Sequence, residues 1–209
     1  MSNRIPFPPE FSADDLQVGD IILTSAATIG SVVIQLGSAG TVSHAVLYAG
    51  GGIIIEAMPG DAGVREYPLD QMLAGSEKAI VLRRVGLTPS QGLAVVERAR
   101  SYVGRGYDML GAVASVAYQI DRFILCPIQP WIDDCNAWAQ SNSAWAFDPE
   151  GFFCSELVAK AFEEIGMPLT DSPSTGVSPA TLMRLASTDK LEYLGMLKRS
   201  PVYEMPLMP

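Results

Sequence analysis

The stretch 41-TVSHAVLYAGGGIIIEAM-58 carries apolar and β-branched runs on either side of three consecutive glycines, Gly50 to Gly52. Two such runs joined at glycines read as strands closed into a hairpin. Side chains alternate across a strand, so Val42, His44, Val46 and Tyr48 share one face of the first run, and Ile54, Glu56 and Met58 share one face of the second. Whether the two faces coincide depends on the turn. A three-residue loop, Ala49 to Gly51, sets His44 directly opposite Glu56; a two-residue loop, Gly50-Gly51, sends the two side chains to opposite sides. Three glycines are compatible with either.

Outward from the hairpin, "VGDIILTS" (Val18 to Ser25) reads as a buried strand after a glycine turn, and "TIGSVVIQLG" (Thr28 to Gly37) as a short helix ended by glycine. "GVREYPL" and "KAIVLRRV" supply two more strand candidates. From Thr88 the period becomes helical, with Leu93, Val96, Ala99 and Val103 recurring at three and four, Pro89 in the first turn and Gly104 past the end. Met109 to Tyr118 reads as a second helix lined with small residues, and Asp121 to Asp148 as an irregular stretch. A third helix begins near Cys154. A fourth has Ser178 as N-cap and Pro179 at its first position, and "KLEYLGML" (Lys190 to Leu197) is the last strand. Strands gathered early and helices late predict an α+β fold, with an antiparallel sheet packed against helices. The 209 residues form one domain, 1–209, with a helical or irregular insertion around 108–150 and extended proline-marked arms over 1–15 and 199–209.

A formal charge of -9 repels phosphate backbones, and the arginines at 83, 84, 98, 100 and 105 form no basic run, so no nucleic acid partner is expected. No apolar window is long enough to span a bilayer, which predicts no transmembrane segment. The N-terminal "MSNRIPFPPEF" shows no apolar h-region, and three cysteines make an odd count unsuited to a disulfide framework; together they predict a cytoplasmic location. Cys126 and Cys135 lie nine residues apart with a single histidine in the chain, so neither a metal site nor another cofactor is expected. Gly104 and Gly106 lack the third glycine of a dinucleotide fingerprint.

The chemistry centres on "GFFCSELVAKAF", Gly151 to Phe162. A helix starting near Cys154 puts Leu157, Val158, Ala161, Phe162 and Ile165 on one face, which docks it and leaves the cysteine at its N-terminus. There the unpaired N–H groups and the positive end of the helix dipole favour a thiolate. Free cysteine is also among the most buried residue types, and position alone favours packing over catalysis. Taken with the chain's one histidine and a carboxylate that shares a hairpin with it, however, Cys154 completes the set a thiol hydrolase requires.

"GDI", "SHAVLYAGGGIIIEA", "GRGYD", "FFCSELVAKAF" and "SPATL", in that order, resemble the permuted papain-like amidase family of the YiiX and YaeF type, circularly permuted relatives of NlpC-type cell-wall peptidases. The resemblance runs from about Val18 to Ala186, and histidine precedes cysteine as in the permuted order. It implies a permuted papain-like, NlpC-type fold, with Cys154 as nucleophile, His44 as general base and then acid, and Glu56 as the residue orienting the imidazole. Tyr107 matches a tyrosine position near the family site and would bind or polarise the scissile carbonyl. The stretch from Asp108 to Gly151, with Trp131, Trp138 and Trp145, departs from the family pattern as a long apolar insertion.

The expected activity is cleavage of an amide or ester bond in a peptide, cell-wall peptide or lipid-linked substrate through an acyl-enzyme. Two alternatives remain open: an acyltransferase related to lecithin:retinol acyltransferase, and a lipid- or peptide-binding module without turnover.

Overall fold

A computed structural model describes residues 10–25, 42–112, 151–171, 173–186 and 188–197. In chain order the strands are β1 (Glu10–Phe11), β2 (Ile21–Ser25), β3 (His44–Gly50), β4 (Ile53–Met58), β5 (Gly63–Pro68), β6 (Lys78–Arg84), β7 (Gly106–Tyr107), β8 (Gly151–Phe152) and β9 (Leu191–Leu197). The helices are α1 (Leu69–Ala74), α2 (Pro89–Arg100), α3 (Cys154–Glu164) and α4 (Pro179–Leu185). Among the described residues seven strands form one sheet in the order β1-β9-β6-β2-β3-β4-β5, and β7 and β8 form a small separate pair.

The α+β reading holds, with one correction to the sheet. It is mixed rather than antiparallel, because β1 runs parallel to β9 while the other neighbours are antiparallel. Part of the expected N-terminal arm is therefore an edge strand, and Ala13–Asp15 that follows is a single 3-10 turn capped by Ser12. Such a short, charged edge strand leaves little backbone free for pairing with another chain.

Every residue of β2 is buried, and the reason is its central place in the sheet. On one face Ile21, Leu23, Ala45, Leu47 and Ile55 pack with Val95 and Val96 of α2 and Leu157, Val158 and Phe162 of α3. On the other, Ile22, Val46, Tyr48, Ile54 and Val81 pack with Leu69 and Met72 of α1. A strand covered on both faces reads as a continuous apolar run, which is what "IILTS" is. Asp20, fully buried at the head of β2, receives Arg83 Nε at 2.6 Å and Nη2 at 2.7 Å. The aspartate of "GDI" is thus an anchor between β2 and β6.

The hairpin turns at Gly51 and Gly52, whose φ values of 61° and 75° are the pair a type I′ turn requires. Leu47 opposes Ile55 and Tyr48 opposes Ile54, after which a bulge at Gly50 brings it opposite Ile53. This is neither of the two registers considered from sequence. It is displaced by two residues from the one that faced His44 directly at Glu56, and a displacement of two keeps both side chains on one face.

Helix α2 is capped as expected, with Thr88 and Gln91 forming a reciprocal capping box and Pro89 at the first position. Its buried stripe is Gly92, Val95, Val96 and Ala99, whereas Leu93 and Val103 are exposed. The expected phase was wrong by part of a turn, since Gly92 makes the closest approach and turns Leu93 outward. Residues 109–112 begin the helix expected from Met109. The rest of that helix, the helix over 28–37, most of the insertion with its tryptophans, Cys126, Cys135 and the C-terminal arm lie outside the described residues.

Candidate active site

Cys154 is the first residue of α3, reached through Phe153 in extended conformation, and the thiol is buried. Two bonds secure this first turn. Glu156 Oε2 accepts from the Phe153 N–H at 3.3 Å, and Ser155 Oγ donates to the Val177 carbonyl at 2.7 Å. The face of Leu157, Val158, Ala161 and Phe162, all buried, fixes the rest of the helix on the sheet. Just upstream, Phe152 of β8 lies beside Tyr107 of β7 in parallel register.

His44 is the first residue of β3, so thiol and imidazole meet where their two elements begin. The Cys154 sulfur is hydrogen-bonded to the His44 ring and receives the backbone N–H groups of Ala45 and Ser155. His44 Nε2 lies 2.9 Å from Glu56 Oε2. By continuation of the hairpin register Val46 opposes Glu56, and His44 reaches it as a diagonal neighbour on the same face. The other carboxylate oxygen, Oε1, receives Arg65 Nε at 2.9 Å and Arg65 Nη2 at 2.7 Å. Arg65 of β5 stands directly opposite Glu56 of β4, and its guanidinium lies 4.1 Å from the Tyr67 ring centroid.

These contacts set the charges. Burial pushes the Cys154 thiol up, but the hydrogen bond and charge of His44 and the two N–H groups outweigh it, and the thiol sits below its ordinary value. Burial likewise opposes a charged His44, yet the bonds to Cys154 and Glu56 together prevail and hold the imidazole above 6.5. Glu56, its side chain only 3 % exposed, is pushed up by burial and pulled further down by His44 first and Arg65 second. An ionised carboxylate only accepts hydrogen bonds, so Nε2 of His44 carries the proton given to Glu56 and Nδ1 is left for the thiol. The arrangement favours a thiolate beside an imidazolium.

Tyr107 stands close to this pair. Burial first, then the nearby charges of Cys154, Asp108 and Glu156, raise its phenol well above 10 and keep it a neutral donor. Its position depends on a tight approach of β5 to the turn before β7, where the Val64 N–H donates to the Arg105 carbonyl at 2.9 Å and the Gly104 N–H to the Val64 carbonyl at 2.9 Å. Gly63, with φ of 52°, makes the approach possible, because a Cβ there would lie 2.2 Å from the Arg105 carbonyl oxygen. Asp108 accepts the Gly111 N–H at 2.7 Å, so the end of "GRGYD" opens the helix that follows.

The structure thus brings together all four residues singled out in the sequence, Cys154, His44, Glu56 and Tyr107. Sequence reasoning missed Arg65, treating "GVREYPL" as a strand and no more. The signal was the pairing of β4 with β5, which places Arg65 on the face of Glu56. Among the described residues no group of three or more His, Cys, Asp or Glu side chains is placed to hold a metal ion.

Known proteins similar to this chain include a curated relative and a solved structure. The chain is 32% identical over 204 residues to the "Probable lipoprotein peptidase YaeF" of Escherichia coli (strain K12), covering 90% of this chain and 73% of YaeF. The crystal structure of the metalloprotein YiiX from Escherichia coli O157:H7 superposes with a TM-score of 0.58 at 21% identity, covering 86% of this chain and 96% of that one, and shares its fold. No protein-family model matches. YaeF is named a lipoprotein, and that finding contradicts the cytoplasmic expectation. Neither a low cysteine count nor an unremarkable N-terminal stretch reports a compartment. Among the described residues no helix is long and apolar enough to cross a membrane.

Proposed function

The chain belongs to the YiiX/YaeF-like family, whose likeness to peptidases supports a hydrolase, and from that premise we propose a thiol hydrolase of permuted papain-like, NlpC-type fold that cleaves an amide or ester bond. The observation that carries the reading is the unbroken run of contacts from the Cys154 sulfur through the His44 ring to the Glu56 carboxylate. Cys154 attacks the carbonyl carbon as thiolate. His44, protonated on Nδ1 by the exchange with the thiol, gives that proton to the leaving amine or alcohol, and an acyl-enzyme remains. The same imidazole then takes a proton from water, hydroxide equivalent adds to the thioester, and the sulfur leaves as thiolate. Glu56 holds the ring and stabilises its charged form throughout.

Backbone N–H groups at the start of α3 would receive the tetrahedral oxyanion, each donor contributing about 3 to 4 kcal/mol to the transition state. Tyr107, kept protonated, donates to the substrate carbonyl from the β7 side. The name given to YaeF suggests a peptide substrate; the chemistry alone equally serves a lipid ester. In folded protein, Cys154→Ala and Cys154→Ser should both abolish turnover of peptide and ester substrates, and the acyl group trapped from wild type should add its mass to the Cys154 peptide. Undiminished hydrolysis by Cys154→Ala would overturn the reading.

A further inference from the structure

Glu56 can orient His44 only if its own carboxylate is held. The terminal torsion of a glutamate is broad, with two roughly equivalent settings, so burial of the side chain does not by itself choose which oxygen faces the ring. Among the described residues its hydrogen-bond partners are His44 and Arg65, and they divide the carboxylate cleanly. Both Arg65 nitrogens go to Oε1, at 2.9 and 2.7 Å, while Oε2 is left to His44 at 2.9 Å. Arg65 is itself secured, since its strand neighbour β4 sets it directly opposite Glu56 and the Tyr67 ring lies under its guanidinium at 4.1 Å.

We infer that Arg65 is a positioning residue for the reaction, locking Glu56 by Oε1 so that Oε2 is presented to His44 Nε2. The kinetic side of this inference rests on the hydrolase reading; the geometric side does not. Arg65 touches neither the thiol nor, in this geometry, the imidazole, and acts only through Glu56. A simple cross-strand ion pair between β4 and β5 would have no such consequence. Lysine keeps the charge but offers one ammonium in place of two fixed N–H groups, so it restores the attraction and only part of the alignment.

The chain has a single histidine, so its ring signals in a ¹⁵N-labelled sample need no sorting from others. The Nε2–H proton bonded to Glu56 should appear downfield and protected in wild type, broaden by exchange in Arg65→Met as it does in Glu56→Gln, and be largely recovered in Arg65→Lys. With substrate, Arg65→Met should lower kcat about 10- to 100-fold with KM unchanged, the scale of a small misplacement of a catalytic group. In the Glu56→Gln background the same substitution should cost nothing further. An Arg65→Met protein with the wild-type ring signal, or one whose kcat loss is undiminished in Glu56→Gln, would overturn the inference. If the ring signal responds as described while wild type turns over no substrate, the positioning of His44 by Arg65 stands and the hydrolase reading alone falls.

Discussion

Cys154 and His44 are displaced in opposite directions by the same contact, the thiol down and the imidazole up, so one proton shift between them accounts for both. Without His44, burial is left to push the thiol up against only the N–H groups of Ala45 and Ser155 and the end of the helix dipole. His44→Ala should therefore return Cys154 to an ordinary or higher titration. The rate of iodoacetamide alkylation at pH 6.5, which counts thiolate, should fall about tenfold or more. As pH falls from 9.0, the wild-type rate should hold to lower pH than that of a free thiol, because the folded thiol keeps its charge longer. An unchanged rate in His44→Ala would mean that the helix terminus alone ionises the thiol.

Among elements, the close seat of α2 shows how a local preference yields to packing. Alanine at Gly92 would favour an isolated helix by about 1 kcal/mol. Here a Cβ would lie 2.2 Å from the Val18 carbonyl oxygen, backbone that leads straight into the buried Asp20 and β2. Overpacking of this kind costs about 1–3 kcal/mol, so Gly92→Ala should destabilise the protein despite its better propensity. Urea denaturation should show a lower midpoint; a higher one would place α2 farther from Val18. The same contact explains what the sequence did and did not disclose. Helix α2 was legible in its cap and its length, because Thr88, Pro89 and Gln91 act locally, but its buried face was not, because Gly92 is apolar contact without a side chain. Strands β2, β3, β4 and β6 were legible as apolar runs bounded by glycine. The hairpin register was not, since a bulge at Gly50 adds a residue that no alternation pattern records. The pairing of His44 with Glu56 survived that error only because the register moved by an even number. Helix α1, six residues between two strands, is too short to show a period.

For the whole molecule, the three linked groups shape stability against pH, and the sign follows from proton counts in the folded and unfolded chains. His44, raised from 6.5 to about 10, contributes stability that is full below 6.5 and lost as pH rises through its folded value. Cys154, lowered from 9.0, contributes stability that is present above 9.0 and lost as pH falls through its folded value. The two contributions have opposite signs of slope against pH, so where both groups titrate they offset one another. Glu56, lowered from 4.5, adds stability that is present above 4.5 and lost as pH falls through its folded value. Glu56→Gln should accordingly be less stable than wild type near neutrality, where Arg65 and His44 lose their buried anion. The gap should narrow as pH drops below 4.5, because protonated Glu56 then differs little from glutamine. Unfolding by urea at a series of pH values, read as the difference between the two proteins, cancels the remaining carboxylates that titrate alike in both. A gap that stays constant from neutrality to pH 3 would show that Glu56 takes up its proton at the same pH in the folded and the unfolded chain, and with it that neither His44 nor Arg65 holds it in the charged form on which the imidazolium depends.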